Sequence, residues 1–233
     1  GIEEIDKVMQ LWQGIPYHKK IRLQNFEIEF YDAGHVLGSS FIVISAEGKK
    51  IVFTGDLGNV SAPLVKATET VNTADYALIE STYGNRIHED LGTRKDILED
   101  TIEETVKSGG VLMIPAFAIE RTQELLHDIE HFCEKGNCAV PRFYLDSPLA
   151  DKVTGVFERF QNFLARDLKK ENLDIFALHR VKITSSDEQS KEIDEMPGPK
   201  IIIAGSGMMN GGRILYHLKK YSEDPKNAIL FVG

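Results

Sequence analysis

The sequence contains only two cysteines, Cys133 and Cys138, among its 233 residues. This excludes a disulfide-rich scaffold and favours a reducing, cytoplasmic location, because such scaffolds belong to oxidising compartments. Two cysteines are also too few for a zinc ribbon, so both are predicted to be free thiols. No run of about 18 apolar residues is present, so no membrane span is expected. The N-terminus lacks a basic region followed by an apolar run, so no signal peptide is expected.

Basic residues are outnumbered by acidic ones, 27 to 36, which gives a net charge of −9. Averaged over the surface, this charge repels nucleic acid and argues against a non-specific coat protein for RNA or DNA. A nuclease is not excluded, because a local basic site or a metal ion could bind phosphates. With 42% hydrophobic and 27% charged residues, the composition is otherwise that of a folded globular protein.

The hydrophobic pattern changes near residue 86. Before it, apolar residues alternate over Lys20–Tyr31, a glycine-bearing turn at 46–48 joins two short apolar runs, and 76–79 is predicted to be a buried strand. After it, strands alternate with helices, which predicts a mainly parallel α/β sheet. The expected domains are 1–85 and 86–233, and both chain ends are interpreted as cuts through a larger fold. The predicted helices are Thr93–Lys107, Ile119–Cys133, Pro148–Leu164 and Gly212–Tyr221. The predicted strands are Val111–Pro115, Arg142–Leu145, Lys200–Ala204 and Ala228–Val232, with a weaker one at Val181–Thr184 in an otherwise unpatterned stretch, 165–200.

One ionisable residue follows each of three predicted strands, and each time glycine is nearby. These residues are His35 in Asp32–Ser40, Asp56 in Phe53–Asn59 and Glu80 in Glu80–Gly84. Glycine permits close backbone approach, so the three side chains are predicted to meet at one edge of a sheet. Imidazole and carboxylate together suit zinc or a similar divalent ion. Each residue taken alone is more simply a turn or ion-pair residue, and only the shared pattern favours a site.

The three segments resemble signatures of the metallo-β-lactamase superfamily, specifically of its β-CASP branch of RNA-processing nucleases. Four more segments extend the resemblance over nearly the whole chain: Ile114–Leu126, Leu145–Ala150, Pro197–Lys200 and Ala204–Arg213. The likeness is to the prokaryotic polyadenylation-factor-like group. The fold it implies is part of an αββα metallo-β-lactamase fold over 1–85, followed by an inserted β-CASP α/β domain over 86–233.

The resemblance also implies a chemistry, namely zinc-dependent hydrolysis of RNA phosphodiester bonds with two zinc ions in the intact enzyme. His35 corresponds to a metal ligand. Asp56 corresponds to the catalytic carboxylate that bridges the two metals. Glu80 corresponds to the catalytic-site acid that orients the histidines of the site. RNA is the expected partner, no membrane is involved, and a homodimer is left open.

Two parts of the family pattern are absent from this sequence. It has no His-x-His-x-Asp-His motif, and the later histidines of the β-CASP branch are expected beyond residue 233. Two ligands cannot fill a tetrahedral site, so this chain is expected to hold zinc weakly and to be inactive alone. A non-catalytic RNA-binding or scaffolding role is the alternative. A hydrolase of another ester is a third interpretation, which the β-CASP segment disfavours.

The segment Gly205–Asn210 follows a predicted strand and precedes a predicted helix. It differs from a dinucleotide-binding fingerprint at one residue, since Asn210 replaces the third glycine. The acidic ribose partner is missing after the next strand, so we favour an RNA phosphate site that includes Ser206 and Gly207. Arg121 and Arg213 each lie early in a predicted helix that follows a strand. They are predicted to contact the substrate at the same sheet edge, with solvated surface arginines as the alternative.

One further histidine pattern is present in the sequence. His127 and His131 formally fit the His-x-x-Glu-His pattern of a metalloprotease. On a helix with about 100° per residue they fall opposite the apolar stripe, so both are predicted to face solvent, which argues against a protease. His217 shows no partner pattern, and no role is assigned to it.

Overall fold

The structure is a computed structural model. It describes residues 1–58, 62–87, 91–133, 142–165 and 181–232. The chain divides into two compact units, Gly1–Gly84 and Asn85–Gly233. Each unit has its own five-stranded sheet and its own core. Among the described residues, the helices are all too short or too polar to cross a membrane.

The first unit is a helix followed by a mixed sheet. Its elements are α1 (Ile2–Gln10), β1 (Ile21–Leu23), β2 (Phe26–Asp32), β3 (Ser40–Ala46), β4 (Lys49–Phe53) and β5 (Tyr76–Leu78). Strands β1 to β4 pair antiparallel in chain order, and β5 pairs parallel to β4. Positive φ at Glu47 and Gly48 turns β3 into β4, since two left-handed residues suit a tight hairpin. Strands β2, β4 and β5 therefore run in the same direction.

Three details of this unit differ from the sequence expectation. Lys20–Tyr31 is a hairpin rather than one strand, because the chain turns at Gln24, whose φ is +54°. The apolar residues occupy odd-numbered positions before Gln24 and even-numbered positions after it, so the sequence does contain a signal for this turn. Strand β5 is exposed rather than buried because it is an edge strand. The helix α1 was not predicted, and it buries none of its residues.

The second unit is a parallel sheet with helices on both faces. Its helices are α2 (Leu91–Ser108), α3 (Arg121–Phe132), α4 (Pro148–Arg159), α5 (Asp187–Glu195) and α6 (Ile214–Tyr221), with a short 3-10 helix at Gln161–Phe163. Its strands are β6 (Val111–Pro115), β7 (Phe143–Asp146), β8 (Val181–Ile183), β9 (Lys200–Ala204) and β10 (Ala228–Ile229). They pair parallel in the order β10-β6-β9-β7-β8. This confirms the predicted fold class.

The central strands are buried along their whole length, and alternate residues face different layers. In β6, Leu112 and Ile114 pack with α2 and α3, whereas Val111 and Met113 pack in the layer that contains residues of α5 and α6. Continuous apolar runs of this kind are expected for strands covered on both faces.

Two expectations for this unit need correction. Helix α5 lies in the stretch without a predicted pattern, and it begins with a capping box in which Ser186 and Gln189 satisfy each other's backbone amides. Cys133 is disulfide-bonded rather than a free thiol. Counting cysteines excludes a disulfide scaffold but not a single bridge. The other cysteine, Cys138, lies outside the described residues.

Candidate functional site

The three predicted site residues of the first unit follow strands that run in one direction. His35 comes after β2, Asp56 after β4 and Glu80 after β5. Because these strands run the same way, their carboxyl ends lie at one edge of the sheet. The topology therefore delivers an imidazole and two carboxylates to the same edge.

The loops that carry His35 and Asp56 touch through glycine. The amide of Gly58 donates to the carbonyl of Ala33 at 2.8 Å. A Cβ at Gly58 would lie 1.5 Å from the carbonyl oxygen of Gly34 and 2.7 Å from the amide nitrogen of His35. No residue with a side chain fits this approach. The backbone contact thus fixes the separation of the two loops.

The turn around His35 is held by two side-chain acceptors. The Ser39 hydroxyl oxygen accepts from the amides of His35 and Val36 at 3.1 and 3.2 Å. The Oδ1 atom of Asp32 accepts from the amide of Gly34 at 2.9 Å. With its backbone fixed in this way, the imidazole of His35 remains exposed at the edge of the sheet.

Glu80 is fixed by hydrogen bonds at both carboxylate oxygens. Oε1 accepts from the amide of Leu57 and Oε2 from the amide of Thr82, each at 3.1 Å. The amide of Glu80 donates to the hydroxyl of Thr54 at 3.1 Å. The hydrogen bond from the Leu57 amide is the largest cause of the lowered pKa of Glu80. The hydrogen bonds from Thr82 and the nearby His35 lower this pKa further. Glu80 is therefore an ionised, oriented acid.

A shallow cavity of about 320 Å³ lies at the ends of β4 and β5. Its lining residues are Phe53, Thr54, Gly55, Asp56, Leu78, Ile79 and Glu80. Two of the predicted residues, Asp56 and Glu80, therefore share one cavity, and the loop of the third adjoins it through the glycine contact.

The side chains at this edge are of the types that bind zinc, but they are too few to complete a zinc site. Imidazole and carboxylate are ordinary zinc ligands, and the side chains of His35 and Asp56 are exposed. A zinc site needs about four donors. Among the described residues, no group of three or more His, Cys, Asp or Glu side chains could hold a metal ion.

In the second unit, the loops after β6, β9 and β7 converge at the carboxyl edge of the parallel sheet. The amide of Ala116 donates to the carbonyl of Ala204 at 3.0 Å. A Cβ at Gly205 would lie 3.8 Å from the Ala116 carbonyl oxygen and 3.9 Å from the Ser147 hydroxyl. The predicted substrate-binding residues Arg121, Ser206, Gly207 and Arg213 follow β6 and β9 at this edge.

The donors of Ser206 are already used within its own loop. Its amide donates to the carbonyl of Gly211 at 3.2 Å, and its hydroxyl donates to Oδ1 of Asn210 at 2.8 Å. The predicted phosphate site needs the amide of Ser206 as a donor, and this amide already has an acceptor. The loop is ordered by its own hydrogen bonds, and an anion would compete with them.

The two predicted RNA-binding arginines are ion-paired. Arg121 Nη1 lies 2.5 Å from Oε2 of Glu124. Arg213 contacts Asp146 at 2.8 Å and Asp187 at 2.9 Å, and only 15% of its side chain is exposed. The local positive charge expected at this edge is therefore largely neutralised, and the alternative of solvated surface arginines is wrong for Arg213.

Sequence reasoning missed the buried carboxylate of Asp146, at the end of β7. Its Oδ1 accepts from Thr184 at 2.5 Å and from Arg213 at 2.8 Å, and its Oδ2 accepts from Ser190 at 2.6 Å. Oδ2 also lies 2.8 Å from Nε2 of His217, which is 1% exposed. These partners lie 38 to 71 residues away in the chain, so no local pattern could reveal them.

The solvent-facing prediction for His127 is wrong, since this residue is 5% exposed. Its ring stacks on that of His131 with centroids 6.4 Å apart, and its Nδ1 lies 3.2 Å from Oδ1 of Asp128. The buried arc of α3 is wider than its apolar stripe because it also includes polar side chains. Among them, Gln123 donates to the carbonyl of Ala118 and to Thr154.

Comparisons with known proteins identify the family. Residues 122–233 match the Beta-Casp domain. The chain is 35% identical to a ribonuclease of Thermus thermophilus over 239 residues, covering 100% of this chain and 54% of that protein. It is 33% identical to an RNase J-like protein of Methanocaldococcus jannaschii, covering 99% and 54%. It is 30% identical to an endoribonuclease of Kluyveromyces lactis, covering 99% and 30%.

The chain thus spans about half the length of the first two of these relatives, or less than a third in the third. The match to the Beta-Casp domain falls on the parallel α/β unit, and the mixed sheet precedes it. The resemblance of the segments around His35, Asp56 and Glu80 implies the same order, a metallo-β-lactamase part followed by a β-CASP domain. The chain therefore belongs to the β-CASP branch of the metallo-β-lactamase superfamily.

Proposed function

We propose that this protein is an RNA-processing nuclease that hydrolyses phosphodiester bonds with the help of two zinc ions. The observation that carries the proposal is the contact of Gly58 with Gly34, which brings the loops of His35 and Asp56 together beside Glu80. Relatives named as a ribonuclease and an endoribonuclease support RNA as the substrate.

In this proposal His35 and Asp56 are metal ligands, and Glu80 is a positioning acid. Bound zinc lowers the pKa of a water molecule and neutralises charge on the reacting phosphate. Asp56 has two carboxylate oxygens, so it can bind two cations at once. Glu80 already has a fixed orientation and a lowered pKa, which suits an acid that accepts the ring N–H of a ligand histidine.

The substrate-binding group of the proposal consists of Arg121, Ser206 and Gly207 as RNA contacts and of Arg213 as a positioning residue. Arg121 is the better phosphate contact of the two arginines. Within the described part of the chain it pairs with one carboxylate, that of Glu124, and 32% of its side chain is exposed. Arg213 is held by two carboxylates. We assign it the role of positioning the loop, since it precedes Ile214, whose amide donates to the carbonyl of Gly205 at 3.0 Å.

The test is cleavage of single-stranded RNA by the full-length protein with Asp56→Ala. We expect a loss of at least about 100-fold in rate, because a ligand shared by two metals is removed. Asp75→Ala is the matched control: it removes an exposed carboxylate of the same unit, paired with Lys49 at 2.8 Å, and should leave cleavage within about twofold. Undiminished cleavage by Asp56→Ala would reject the bridging role.

A non-catalytic RNA-binding role is the second candidate. The small number of metal donors among the described residues favours it. It predicts that the full-length protein binds RNA but shows no cleavage above background with zinc present. Metal-dependent cleavage that is lost in Asp56→Ala would exclude it.

A further inference from the structure

Large apolar side chains are exposed at the carboxyl edge of the parallel sheet. Phe117 follows β6, Met208 follows β9 and Leu149 follows β7, and these residues are 48%, 65% and 60% exposed. The three strands are neighbours, so their following loops lie at one edge. In open parallel sheets this edge is where ligands bind. Exposed apolar groups at such an edge indicate a binding surface.

The ring of Phe117 is held against the backbone of the neighbouring loop. A Cβ at Gly207 would lie 2.8 Å from Cδ2 and 3.0 Å from Cε2 of this ring, and 3.0 Å from the Phe117 amide nitrogen. The Thr122 hydroxyl donates to the carbonyl of Phe117 at 2.6 Å. The ring is therefore half exposed and yet confined, so a ligand that contacts it loses little additional conformational entropy.

The charge distribution limits how RNA can bind at this edge. The net charge is −9, and both nearby arginines are paired with carboxylates. Stacking of a base on an aromatic ring does not depend on net charge, and it contributes about 1–3 kcal/mol per base in proteins that bind single-stranded nucleic acid. An exposed, confined phenylalanine can bind a base by stacking despite the negative net charge. The donors of Ser206 are less suited to bind RNA, because they already have acceptors.

We propose that Phe117 is a stacking platform for an unpaired base of the RNA substrate, placed beside the Gly207 backbone. This inference rests on the proposed function, since it takes RNA as the ligand. It adds a residue whose role is to bind a base rather than a phosphate. Because every base has a π-face, the platform would bind single-stranded RNA with little sequence preference.

The test measures binding of a labelled single-stranded RNA by fluorescence anisotropy, in EDTA so that no cleavage occurs. We expect Phe117→Ala to weaken binding by about 5- to 150-fold. Phe117→Trp should bind within about threefold of the unaltered protein, because it keeps an aromatic face. Phe160→Ala is the matched control: Phe160 is a comparably exposed phenylalanine, 43% against 48%, but it lies at the C-terminal end of α4, the end away from this edge. This variant should change binding less than about twofold. Thermal unfolding of each variant shows that it is folded.

A second arm uses the same RNA with single abasic sites along its length. One abasic position should weaken binding by the unaltered protein and leave binding by Phe117→Ala unchanged, because the stacked base is already lost. If the Phe117→Ala variant binds RNA within twofold of the unaltered protein, the platform is overturned. The exposed apolar residues at this edge would then be assigned to a protein contact. An equal loss for Phe160→Ala would also overturn the platform.

The platform and the nuclease proposal can fail separately. Normal RNA affinity in Phe117→Ala, with cleavage that depends on Asp56, would overturn the platform and support the nuclease. RNA binding that depends on Phe117, in a protein that does not cleave RNA, would support the platform and overturn the nuclease. Absence of RNA binding by the unaltered protein would overturn both.

Discussion

Replacing Asp146 with alanine should lower the free energy of unfolding by about 3–5 kcal/mol. The carboxylate is fully buried and accepts hydrogen bonds from Thr184, Ser190 and Arg213, and it also contacts His217. Its removal leaves the Arg213 guanidinium and several buried donors without their central acceptor. Urea unfolding followed by circular dichroism measures the loss.

Asp187→Ala is the control for this prediction. Asp187 pairs with the same Arg213 at 2.9 Å, but its side chain is 82% exposed. Exposed ion pairs contribute at most about 1 kcal/mol, so this variant should lose far less stability than Asp146→Ala. Equal losses for the two variants would mean that burial does not decide the strength of the contact, contrary to our expectation.

The pH dependence of unfolding provides an independent check on Asp146. Burial alone would raise its pKa, but hydrogen bonds from His217, Ser190, Thr184 and Arg213 outweigh burial and lower the pKa to about 2. Because the folded pKa lies below the unfolded value of about 3.9, the stabilisation is present above about pH 4 and is lost as the pH falls towards 2.

Other carboxylates also titrate in this range, so the informative quantity is a difference. The free energy of unfolding of the unaltered protein should fall more steeply between about pH 5 and pH 2.5 than that of Asp146→Asn. Parallel curves for the two proteins would show that Asp146 has an ordinary pKa in the folded state.

Replacing Gly58 with alanine should cost about 3 kcal/mol or more, at the upper end of the range for overpacking. The added Cβ would meet backbone atoms of Gly34 at 1.5 and 2.0 Å, and backbone cannot move aside as a flexible side chain can. The loops of His35 and Asp56 must then separate. We therefore expect RNA cleavage by the full-length protein to fall together with stability.

Gly14→Ala serves as the control for Gly58→Ala. A Cβ at Gly14 meets no heavy atom within 4 Å, and its φ does not lie in the left-handed region. Stability and cleavage should stay close to those of the unaltered protein. If Gly58→Ala behaved like Gly14→Ala, the close approach of the two loops would not be needed for the site.

Much of the fold could be predicted because its signals are local. The buried run Val111–Pro115 and the helices on either side of it follow from apolar spacing and glycine, and the structure places them within two residues of the prediction. Two missed features also had local signals. These are the change of parity at Gln24 and the Ser186–Gln189 capping box, and both were overlooked among stronger patterns.

The candidate site was predictable to a smaller extent. Glycine-bearing turns after strands pointed to His35, Asp56 and Glu80, because strand ends and turn residues are written in adjacent positions of the chain. The two hydrogen bonds that orient Glu80 were not predictable, since the amide of Leu57 is brought to it from 23 residues away.

By itself, the sequence determined where most of the strands and helices lie and which ionisable residues follow three of the strands, because hydrophobic period and glycine act over a few neighbouring residues. Only the tertiary structure decided how charges and aromatic rings are used. Arg213 faces Asp146 across 67 residues of chain, His217 is buried against the same carboxylate, and Phe117 is confined by Gly207 yet half exposed. Pairing and burial depend on contacts between distant segments, and these exist only once the sheet has formed.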